Sequence, residues 1–398
     1  MVHALHTPIE QLRLTVSAGG TRPLAWRLQQ LGRLERAVQE RGDAVLAALA
    51  TDLGKPDVEA YFELVTVLSE LRHCRRHLRR WMRPQRVGVP LSLQPAEAEV
   101  IREPLGCVLI IGPWNYPFHL CLQPLVSALA AGNTAVLKPS EHAPATAALI
   151  AELISAGFPD DTVQVVQGDG GVAATLLQER FDHIFFTGGE RVGRLVMEAA
   201  ARHLTPVTLE LGGKSPAVVL NDADLTVTAR RLVWGKSINA GQTCIAPDYL
   251  LVERAVQQPL IALMAQRIDQ CFGSDPLQSA DLARIINPAQ FSRLHDLLEG
   301  ARLRGQILHG GQCDPGSRRI APTLIRVDSP DDPLMREELF GPLLPVLEVD
   351  DLEQAIGRIN QGPKPLALDR FSGDPSHQRT LIARTSSGGV GLNDVVLQ

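Results

Sequence analysis

Two long stretches near the start of the chain carry apolar residues at intervals of three and four positions. One runs from Leu24 to Val38 and the other from Tyr61 to Trp81. An α-helix completes a turn in 3.6 residues, so this spacing gathers the apolar side chains on one face. The pattern therefore predicts two long helices, each packing one face against a core.

The second of these helices also carries a run of arginines with no acidic residue among them: Arg72, Arg75, Arg76, Arg79, Arg80, Arg83 and Arg86. The run fits either an anion-binding face or a solvated face whose aliphatic stems cover the core. His73 and His77 lie one helical turn apart, but a metal ion needs further ligands and none is evident nearby. We expect no metal site.

After residue 84 the apolar period changes from that of a helix to that of a strand. Val87, Val89, Leu91 and Leu93 alternate with other residues, and a second alternation begins after Pro95. This pattern predicts a β-hairpin over residues 85–102. The hairpin is either an arm that pairs with another subunit or a strand pair on its own core. The arm is favoured because an isolated hairpin is marginally stable.

From Val108 the chain alternates short apolar segments with helical ones. The apolar segments lie at 108–111, 134–137, 163–166 and 183–186. Short apolar strands that alternate with helices indicate a parallel sheet covered on both faces. Such sheets bind ligands at the carboxyl ends of their strands, so we expect functional residues in the turns there.

Composition and charge exclude several classes of protein. The chain has 398 residues, 45% of them hydrophobic, and can fill about two or three domain cores. Its net charge of −5 gives no general reason to expect a nucleic-acid partner. Six scattered cysteines without a C-x-x-C pair are typical of a reducing compartment. No segment has the pattern of a signal peptide or a transmembrane helix, and we expect a soluble, cytoplasmic protein.

Cys244 and Glu210 are the strongest candidates for chemistry. Cys244 lies in the segment NAGQTCIAP and Glu210 in the segment LELGGK. A cysteine is a nucleophile as its thiolate, and a nearby carboxylate suits it as a proton acceptor or as the activator of water that attacks a thioester. The pair predicts covalent thiol chemistry.

Three turns at the predicted strand ends carry further candidates. The glycine-rich turn at 186–193 follows a strand and opens a helix, so it is either a phosphate site or a tight structural turn. Lys138 and Glu141 fit a ribose or phosphate site, or a solvated surface. Asn115, in the segment GPWNYP, fits either an oxyanion donor or the cap of a turn.

Six segments, taken in order, resemble the aldehyde dehydrogenase superfamily over essentially the whole chain, and its class 3 branch most closely. They are PWNYP at 113–117, LKPSE at 137–141, FTGG at 186–189, TPVTLELGGKSP at 205–216, GQTCIAPDY at 241–249 and EELFGP at 337–342. The resemblance implies an α/β fold with a Rossmann-type parallel-sheet cofactor domain, a second α/β catalytic domain and a bridging β-hairpin. It implies an NAD(P)-binding domain at 1–84 and 103–210, a bridging or oligomerisation hairpin at 85–102, and a catalytic domain at 211–398.

The resemblance also implies a chemical mechanism. The Cys244 thiolate attacks an aldehyde, and the Asn115 amide and the backbone N–H of Cys244 hold the oxyanion. Hydride passes to NAD as the first choice, with NADP as the alternative. Water then hydrolyses the thioester, with Glu210 as general base and Glu338 as a contributor. The expected substrates are medium or long aliphatic aldehydes, or aromatic ones.

Cofactor-binding roles follow from the same resemblance. It places Lys138 and Glu141 at the adenosine ribose, where Glu141 disfavours a 2′-phosphate. The glycines of the turn at 186–193 belong to the pyrophosphate, and Glu338 with Phe340 to the nicotinamide riboside. The full expected set is Trp114, Lys138, Glu141, Gly188, Gly189, Gly193, Leu211, Glu338 and Phe340.

The chain departs from the family pattern at three places. Glu190 stands in the phosphate turn where relatives carry Ser or Thr, which puts an acid near an anionic ligand. Asp369 and Arg370 interrupt an apolar strand, and because unsatisfied buried charge is costly we expect this strand to be altered. The sequence stops at Gln398, so we expect an incomplete substrate end and a homodimer weakened by a missing strand.

Two other functions fit the same residues. A folded but catalytically weak relative would act as a binding or partner subunit, and its lost last segment would leave a sheet edge without its partner. A cofactor-independent thiol hydrolase would also use a cysteine with a carboxylate, but it leaves the phosphate turn unexplained. Formation of NADH from an aldehyde separates both alternatives from aldehyde oxidation.

Overall fold

The computed structural model describes the backbone of residues 2–397 and the side chains of residues 6–397. Contacts between Cα atoms divide the chain into two compact units. The first unit contains the residues up to Asp52 and Ala60–Glu210, and the second contains Leu53–Glu59 and the residues from Leu211 on. The assignment of cofactor binding to one part of the chain and catalysis to the other stays a prediction.

The helices of the first 201 residues follow the apolar patterns of the sequence. They are α1 (Val2–Ser17), α2 (Leu24–Glu40), α3 (Gly42–Leu53), α4 (Asp57–Trp81), α5 (His119–Ala131), α6 (Pro144–Gly157), α7 (Gly170–Leu176) and α8 (Glu190–Ala201). The two predicted amphipathic stretches lie within α2 and α4, and most of their apolar residues pack inward, as Leu34 and Leu71 show, although Tyr61 is 54% exposed. Both helix predictions are confirmed.

The segment around residues 85–102 contains a short antiparallel hairpin of β1 (Gln85–Val87) and β2 (Ala98–Val100). β1 is shorter than the predicted alternation, because Pro90 follows it and Leu91–Leu93 form a turn of 3₁₀ helix. Proline lacks the N–H that would continue a strand ladder. The connecting turn leaves Leu91 89% exposed and Leu93 60% exposed.

A five-stranded sheet forms the centre of the first unit. Its strands are β3 (Cys107–Ile111), β4 (Thr134–Lys138), β5 (Val163–Val165), β6 (His183–Gly188) and β7 (Val207–Leu211). They lie in the order β5-β4-β3-β6-β7, and β3 pairs in parallel with both β4 and β6. β3 and β4 are buried along their whole length, as in other parallel sheets. The predicted parallel sheet is confirmed.

The second unit contains a seven-stranded sheet. The remaining strands are β8 (Pro216–Val219), β9 (Tyr249–Glu253), β10 (Ile307–His309), β11 (Cys313–Asp314), β12 (Arg319–Ile320), β13 (Thr323–Val327), β14 (Leu343–Val349), β15 (Ala367–Phe371) and β16 (Gly389–Leu392). The large sheet has the order β10-β13-β14-β9-β8-β15-β16, with β10 antiparallel to β13 and the other pairs parallel. The remaining helices are α9 (Leu225–Ser237), α10 (Arg254–Phe272), α11 (Pro288–Leu303), α12 (Pro333–Arg336), α13 (Leu352–Gln361) and α14 (Pro375–Arg384).

The expectation that Asp369 and Arg370 alter their strand is wrong. Both residues lie in β15, which is buried along its length and pairs in parallel with β8 on one side and β16 on the other. Arg370 donates a hydrogen bond to the carbonyl oxygen of Asp374 at 2.9 Å. A backbone acceptor thus meets part of the hydrogen-bonding need of this guanidinium, and the strand keeps its place in the sheet.

Neither a metal site nor a membrane span emerges from the part of the chain that the structure describes. Within residues 6–397 no group of three or more His, Cys, Asp or Glu side chains is placed to hold a metal ion. The rings of His73 and His77 pack against each other instead, with their centroids 4.3 Å apart. Among the helices of residues 2–397, none combines the length and the apolar character needed to cross a bilayer.

Candidate active site

Several candidate residues of the first unit lie at one edge of its sheet. Asn115 follows β3, Lys138 ends β4 and Gly188 ends β6. Because β3 pairs in parallel with both neighbours, the carboxyl ends of these three strands meet at the same edge. The topology thus gathers residues that lie as much as 73 positions apart in the sequence, from 115 to 188.

Lys138 and Glu141 form an ion pair at this edge. The Lys138 ammonium lies 2.6 Å from a carboxylate oxygen of Glu141, and the lysine side chain is 4% exposed. Partial burial opposes ionisation of Glu141, but hydrogen bonds from Lys138 and the backbone outweigh it and lower the pKa of the carboxyl. The pair presents a fixed charge pattern to a polar ligand such as a ribose.

The turn between β6 and α8 leaves open space beside Gly189, whereas Gly188 lies against the ring of Phe186. A β-carbon added to Gly189 would meet no atom within 4 Å. Gly189 is the N-cap of α8 and provides no side-chain hydrogen bond to the free N–H groups of the first turn. The N–H of Gly193 donates to the carbonyl oxygen of Gly189 at 3.0 Å, so Gly193 belongs to the helix. The residues present therefore fit an anionic group at this helix start.

Glu190 does not place an unpaired charge in this turn. Its side chain is 66% exposed and forms an ion pair with Arg194, one helical turn further along α8. An exposed carboxylate beside a guanidinium is well screened. The charge of Glu190 is thus partly balanced by Arg194 within the first turns of α8.

The two other catalytic candidates of the first unit differ in their surroundings. Asn115 is 4% exposed, in the loop between β3 and α5. The backbone N–H groups of Phe118 and His119, at the end of the same loop, donate to a carboxylate oxygen of Glu63 at 3.1 and 3.0 Å. Glu210 lies in β7, one residue before its end, and its side chain is exposed.

Cys244 follows a tightly held turn in the second unit. Asn239, Ala240 and Gly241 all have left-handed backbone conformations, with φ of 51°, 52° and 74°. The buried amide of Gln242 donates to the carbonyl oxygens of Asn239 and Arg284 at 2.9 and 3.0 Å, and its oxygen accepts from the N–H of Ile286 at 3.0 Å. The half-buried Cys244 is thus held on a turn with little backbone freedom.

Glu338 lies against the backbone of Gly212 and Gly213, at the start of the same unit. A β-carbon on Gly212 would clash with the Glu338 carboxylate, so glycine is required for this approach. Burial, reinforced by the negative charge of Asp248, raises the pKa of Glu338 to about 7, against the opposing effects of the Gly213 N–H, Lys236 and Lys214. A carboxyl with this pKa exchanges protons near neutral pH.

Asp248 connects the segment after Cys244 to the loop that carries Glu338. One of its carboxylate oxygens accepts from Lys214 Nζ at 2.6 Å, and the other accepts from the backbone N–H of Leu339 at 3.0 Å. Lys236 Nζ lies 3.8 Å from the same carboxylate. Burial lowers the pKa of Lys236 to about 8, although the charge of Asp248 acts in the opposite direction.

Sequence reasoning gave no role to Lys236 or to Asp248. Asp248 belongs to the segment GQTCIAPDY. Its position just before a strand does not by itself indicate a catalytic or a structural role. Lys236 lies in the last turn of α9, where a lysine commonly faces solvent. The position of Lys236, eight residues before the candidate nucleophile, could have suggested a role at the site. The fold shows in addition that Lys236 is buried beside Asp248.

Phe340 and Leu211, two further cofactor-site candidates, both lie in the second unit. Phe340 has a left-handed backbone with φ of 49°, and the carbonyl oxygen of the preceding Leu339 accepts from the Arg293 guanidinium at 2.5 Å. Leu211 ends β7 and directly precedes Gly212, which lies against the Glu338 carboxylate, and Gly213, whose N–H hydrogen-bonds to it. The backbone of the loop at 337–342 is thus fixed from several sides.

Comparison with known proteins shows similarity along nearly the whole chain. A sequence model of the aldehyde dehydrogenase family matches residues 16–398. Aldehyde dehydrogenase family 3 member A2 of Rattus norvegicus is 46% identical over 390 residues, which cover 98% of this chain and 80% of that protein. The dimeric NADP-preferring aldehyde dehydrogenase of Rattus norvegicus is 45% identical over 98% of this chain and 85% of its own length. The substrate-bound structure of Staphylococcus aureus AldH superposes with a TM-score of 0.96 at 40% identity, over 99% of this chain and 86% of that one.

Proposed function

Since the chain belongs to the aldehyde dehydrogenase family and is an NAD(P)-dependent aldehyde dehydrogenase, we propose that Cys244 is its covalent nucleophile. The observation that carries this proposal is the turn before Cys244, in which three consecutive left-handed residues are fixed by the buried Gln242 amide. Left-handed conformations in residues other than glycine are strained and persist where the surroundings hold them, often at functional sites. This strained turn directly precedes Cys244, the cysteine that lies in the family motif.

The proposed reaction begins with a bond between Cys244 Sγ and the aldehyde carbon. The carbonyl oxygen takes up the electron pair, and the Asn115 amide and the backbone N–H of Cys244 stabilise its negative charge. NAD(P), when bound, would supply the hydride acceptor, and loss of hydride from this carbon would convert the thiohemiacetal into a thioester on Cys244. Water then attacks the thioester, the carboxylic acid leaves, and the free thiolate is restored.

Two carboxylates are proposed as proton acceptors for the hydrolytic step. Glu210 is the first candidate by its place in the family motif, and its exposed side chain is open to water. Glu338 is the contributor, since its pKa of about 7 matches the pH at which a general base is most effective. Substitution of each residue alone separates their roles.

The residues around the first sheet are proposed to hold the cofactor. Lys138 and Glu141 would bind the adenosine ribose through their fixed ion pair, with NAD preferred and NADP as the alternative. The remaining proposed contacts come from Trp114, Gly188, Gly189, Gly193, Leu211, Glu338 and Phe340. On this proposal residues 1–84 and 103–210 form the NAD(P)-binding domain, and residues 211–398 form the catalytic domain.

The hairpin is proposed as the dimerisation arm of a cytoplasmic homodimer. Leu91 and Leu93 are largely exposed at its tip, and two-stranded hairpins gain stability from a partner surface. Among the described residues no disulfide joins the six cysteines, which fits a reducing compartment; they are Cys74, Cys107, Cys121, Cys244, Cys271 and Cys313. Light scattering of a Leu91→Asp, Leu93→Asp variant tests the arm, and a mass unchanged from that of a dimeric wild type would contradict it.

Absorbance of NADH tests the proposed nucleophile. Purified protein is mixed with NAD and a panel of medium and long aliphatic aldehydes and aromatic aldehydes, which are the proposed substrates. Cys244→Ala should abolish NADH formation, whereas Cys271→Ala, at another partly buried thiol, should leave it unchanged. Turnover by Cys244→Ala at the wild-type rate would refute the covalent mechanism.

A further inference from the structure

Two glutamates of helix α4 bind the backbone of loops that carry proposed catalytic residues. Glu59 accepts a hydrogen bond from the N–H of Asn239 at 2.8 Å. Glu63 accepts hydrogen bonds from Phe118 and His119 at 3.1 and 3.0 Å. Each glutamate makes these contacts within its own unit, Glu59 in the second and Glu63 in the first. Neither residue belongs to a segment that the sequence pattern connected with chemistry.

Glu59 acts on the first left-handed residue of the turn that precedes Cys244. Asn239 and Ala240 have positive φ without being glycine, a conformation that is strained for residues with a β-carbon. A carboxylate that accepts a backbone N–H makes a hydrogen bond of roughly twice the strength of a neutral one. The Glu59 contact therefore favours this conformation five residues before the nucleophile.

The segment that carries Glu59 is itself fixed to the structure around Cys244. The N–H of Arg284 donates to the carbonyl oxygen of Leu53 at 2.7 Å. The carbonyl oxygen of Arg284 in turn accepts from the side-chain amide of Gln242 at 3.0 Å, two residues before Cys244. Glu59 and the backbone of Leu53 thus both connect the segment 53–59 to the structure that holds the turn of the nucleophile.

Glu63 likewise holds the backbone of the loop that carries Asn115. Phe118 is the N-cap of α5 and has no side-chain group that could satisfy the free N–H groups of the helix start. The carboxylate of Glu63, which is 1% exposed, accepts two of these N–H groups. An anion at this position is further stabilised by the helix dipole. The loop is thereby fixed three residues after the proposed oxyanion donor.

We propose that Glu59 and Glu63 are positioning residues for aldehyde oxidation. Glu59 acts through Cys244 by holding the left-handed turn, and Glu63 acts through Asn115 by anchoring the end of its loop. Neither carboxylate transfers a proton or touches the substrate. The proposal rests on the proposed roles of Cys244 and Asn115, and it assigns a separate measurable defect to each glutamate.

Two readouts distinguish these defects. The first is kcat for an aldehyde and NAD, and the second is the rate at which iodoacetamide alkylates Cys244 in the absence of aldehyde. Glu59→Ala should lower both, with kcat falling by roughly tenfold, because a misplaced nucleophile is affected in either reaction. Glu63→Ala should lower kcat to a similar extent of about tenfold and leave alkylation at the wild-type rate, because iodoacetamide needs no oxyanion donor.

Conservative variants separate positioning from general damage. Glu59→Gln and Glu63→Gln keep an acceptor oxygen at the same place and should retain kcat within about threefold of the wild type. Should the alanine variants fail to fold, Glu59→Asp and Glu63→Asp keep the charge but withdraw it by one methylene, and these variants should lose kcat with the same split in alkylation. Glu70→Ala is the matched control, since Glu70 lies on the same helix and contacts Cys74 instead of a catalytic loop.

The outcomes separate failure of this inference from failure of the proposed function. An inactive wild type, or a fully active Cys244→Ala variant, refutes the proposed function itself. An active wild type with unchanged kcat in folded Glu59→Ala and Glu63→Ala refutes only the positioning roles. Equal loss of alkylation in both variants also refutes them, because it indicates general destabilisation.

Discussion

The backbone of Gly241 approaches the carbonyl oxygen of Gly341 so closely that a β-carbon on Gly241 would clash with it. Gly241 lies three residues before Cys244, and Gly341 lies three residues after Glu338. The loops that carry the proposed nucleophile and a proposed base therefore share one backbone contact. Glycine is needed at position 241 both for this contact and for its positive φ of 74°.

Gly241→Ala should accordingly impair activity and stability together. The added methyl group must displace backbone atoms, and alanine is strained at this φ, so the expected destabilisation is about 1–3 kcal/mol. Urea denaturation measures the free energy of unfolding, and NADH absorbance measures kcat. Gly273→Ala is the control for strain alone, because Gly273 also has a positive φ but nothing lies near its added β-carbon. A Gly241→Ala variant with the activity of Gly273→Ala would contradict the contact.

The pH profile of kcat should have an acidic limb that belongs to Glu338. Burial raises the pKa of this carboxyl to about 7, and a general base must be deprotonated to act. Activity is therefore expected above this pKa and should be lost as the pH falls through it. Glu338→Gln should remove the limb, whereas Glu210→Gln should lower kcat and keep it. If the acidic limb persists in Glu338→Gln, the limb belongs to a group other than Glu338.

Lys236→Met should move the same limb to higher pH. The positive charge of Lys236 lowers the pKa of Glu338, so its removal makes the carboxylate harder to form. Methionine has a similar length and keeps the buried site filled. Lys364→Met, at an exposed lysine, is the control and should leave the limb in place. A limb that moves to lower pH in Lys236→Met would contradict the electrostatic coupling.

Glu141→Gln should increase the use of NADP. A 2′-phosphate on the adenosine ribose would meet the negative charge of Glu141, and removal of this repulsion should lower the KM for NADP by roughly tenfold, or about 1.4 kcal/mol. The KM for NAD should rise because a charged ribose partner is lost. Steady-state kinetics with both cofactors measure the ratio, and Glu198→Gln on the exposed surface is the control. An unchanged ratio of the KM values for NADP and NAD would contradict the proposed position of Glu141 at the ribose.

The sequence predicted those parts of the fold that depend on local periodicity. Helices α2 and α4 and the strands after Val108 follow from the spacing of apolar residues, because burial of one face imposes that spacing. The altered strand expected at Asp369 and Arg370 was wrong because the backbone that follows the strand supplies an acceptor for Arg370. Whether a buried arginine is satisfied depends on acceptors such as the Asp374 carbonyl, and the identity of the residues in the strand does not reveal them.

The sequence likewise named the candidate nucleophile, bases and oxyanion donor from motifs, but it did not show what holds them. Glu59 and Lys236 lie in helices, at positions where charged residues commonly face solvent. The importance of Glu59 depends on its contact with Asn239, which lies 180 residues further along the chain. The importance of Lys236 depends on its contact with Asp248. Tertiary contacts of this kind leave no periodic signal in the sequence.

The most direct test of the account is the mass of the protein during turnover. In a Glu210→Gln, Glu338→Gln double variant, thioester hydrolysis should be slow, so the acyl group should accumulate on the enzyme. After brief mixing with hexanal and NAD and an acid quench, intact-mass and peptide analysis should find one hexanoyl group per chain on Cys244, and none without NAD. NADH formation with no acyl group on Cys244, or with the group on another residue, would contradict the covalent mechanism.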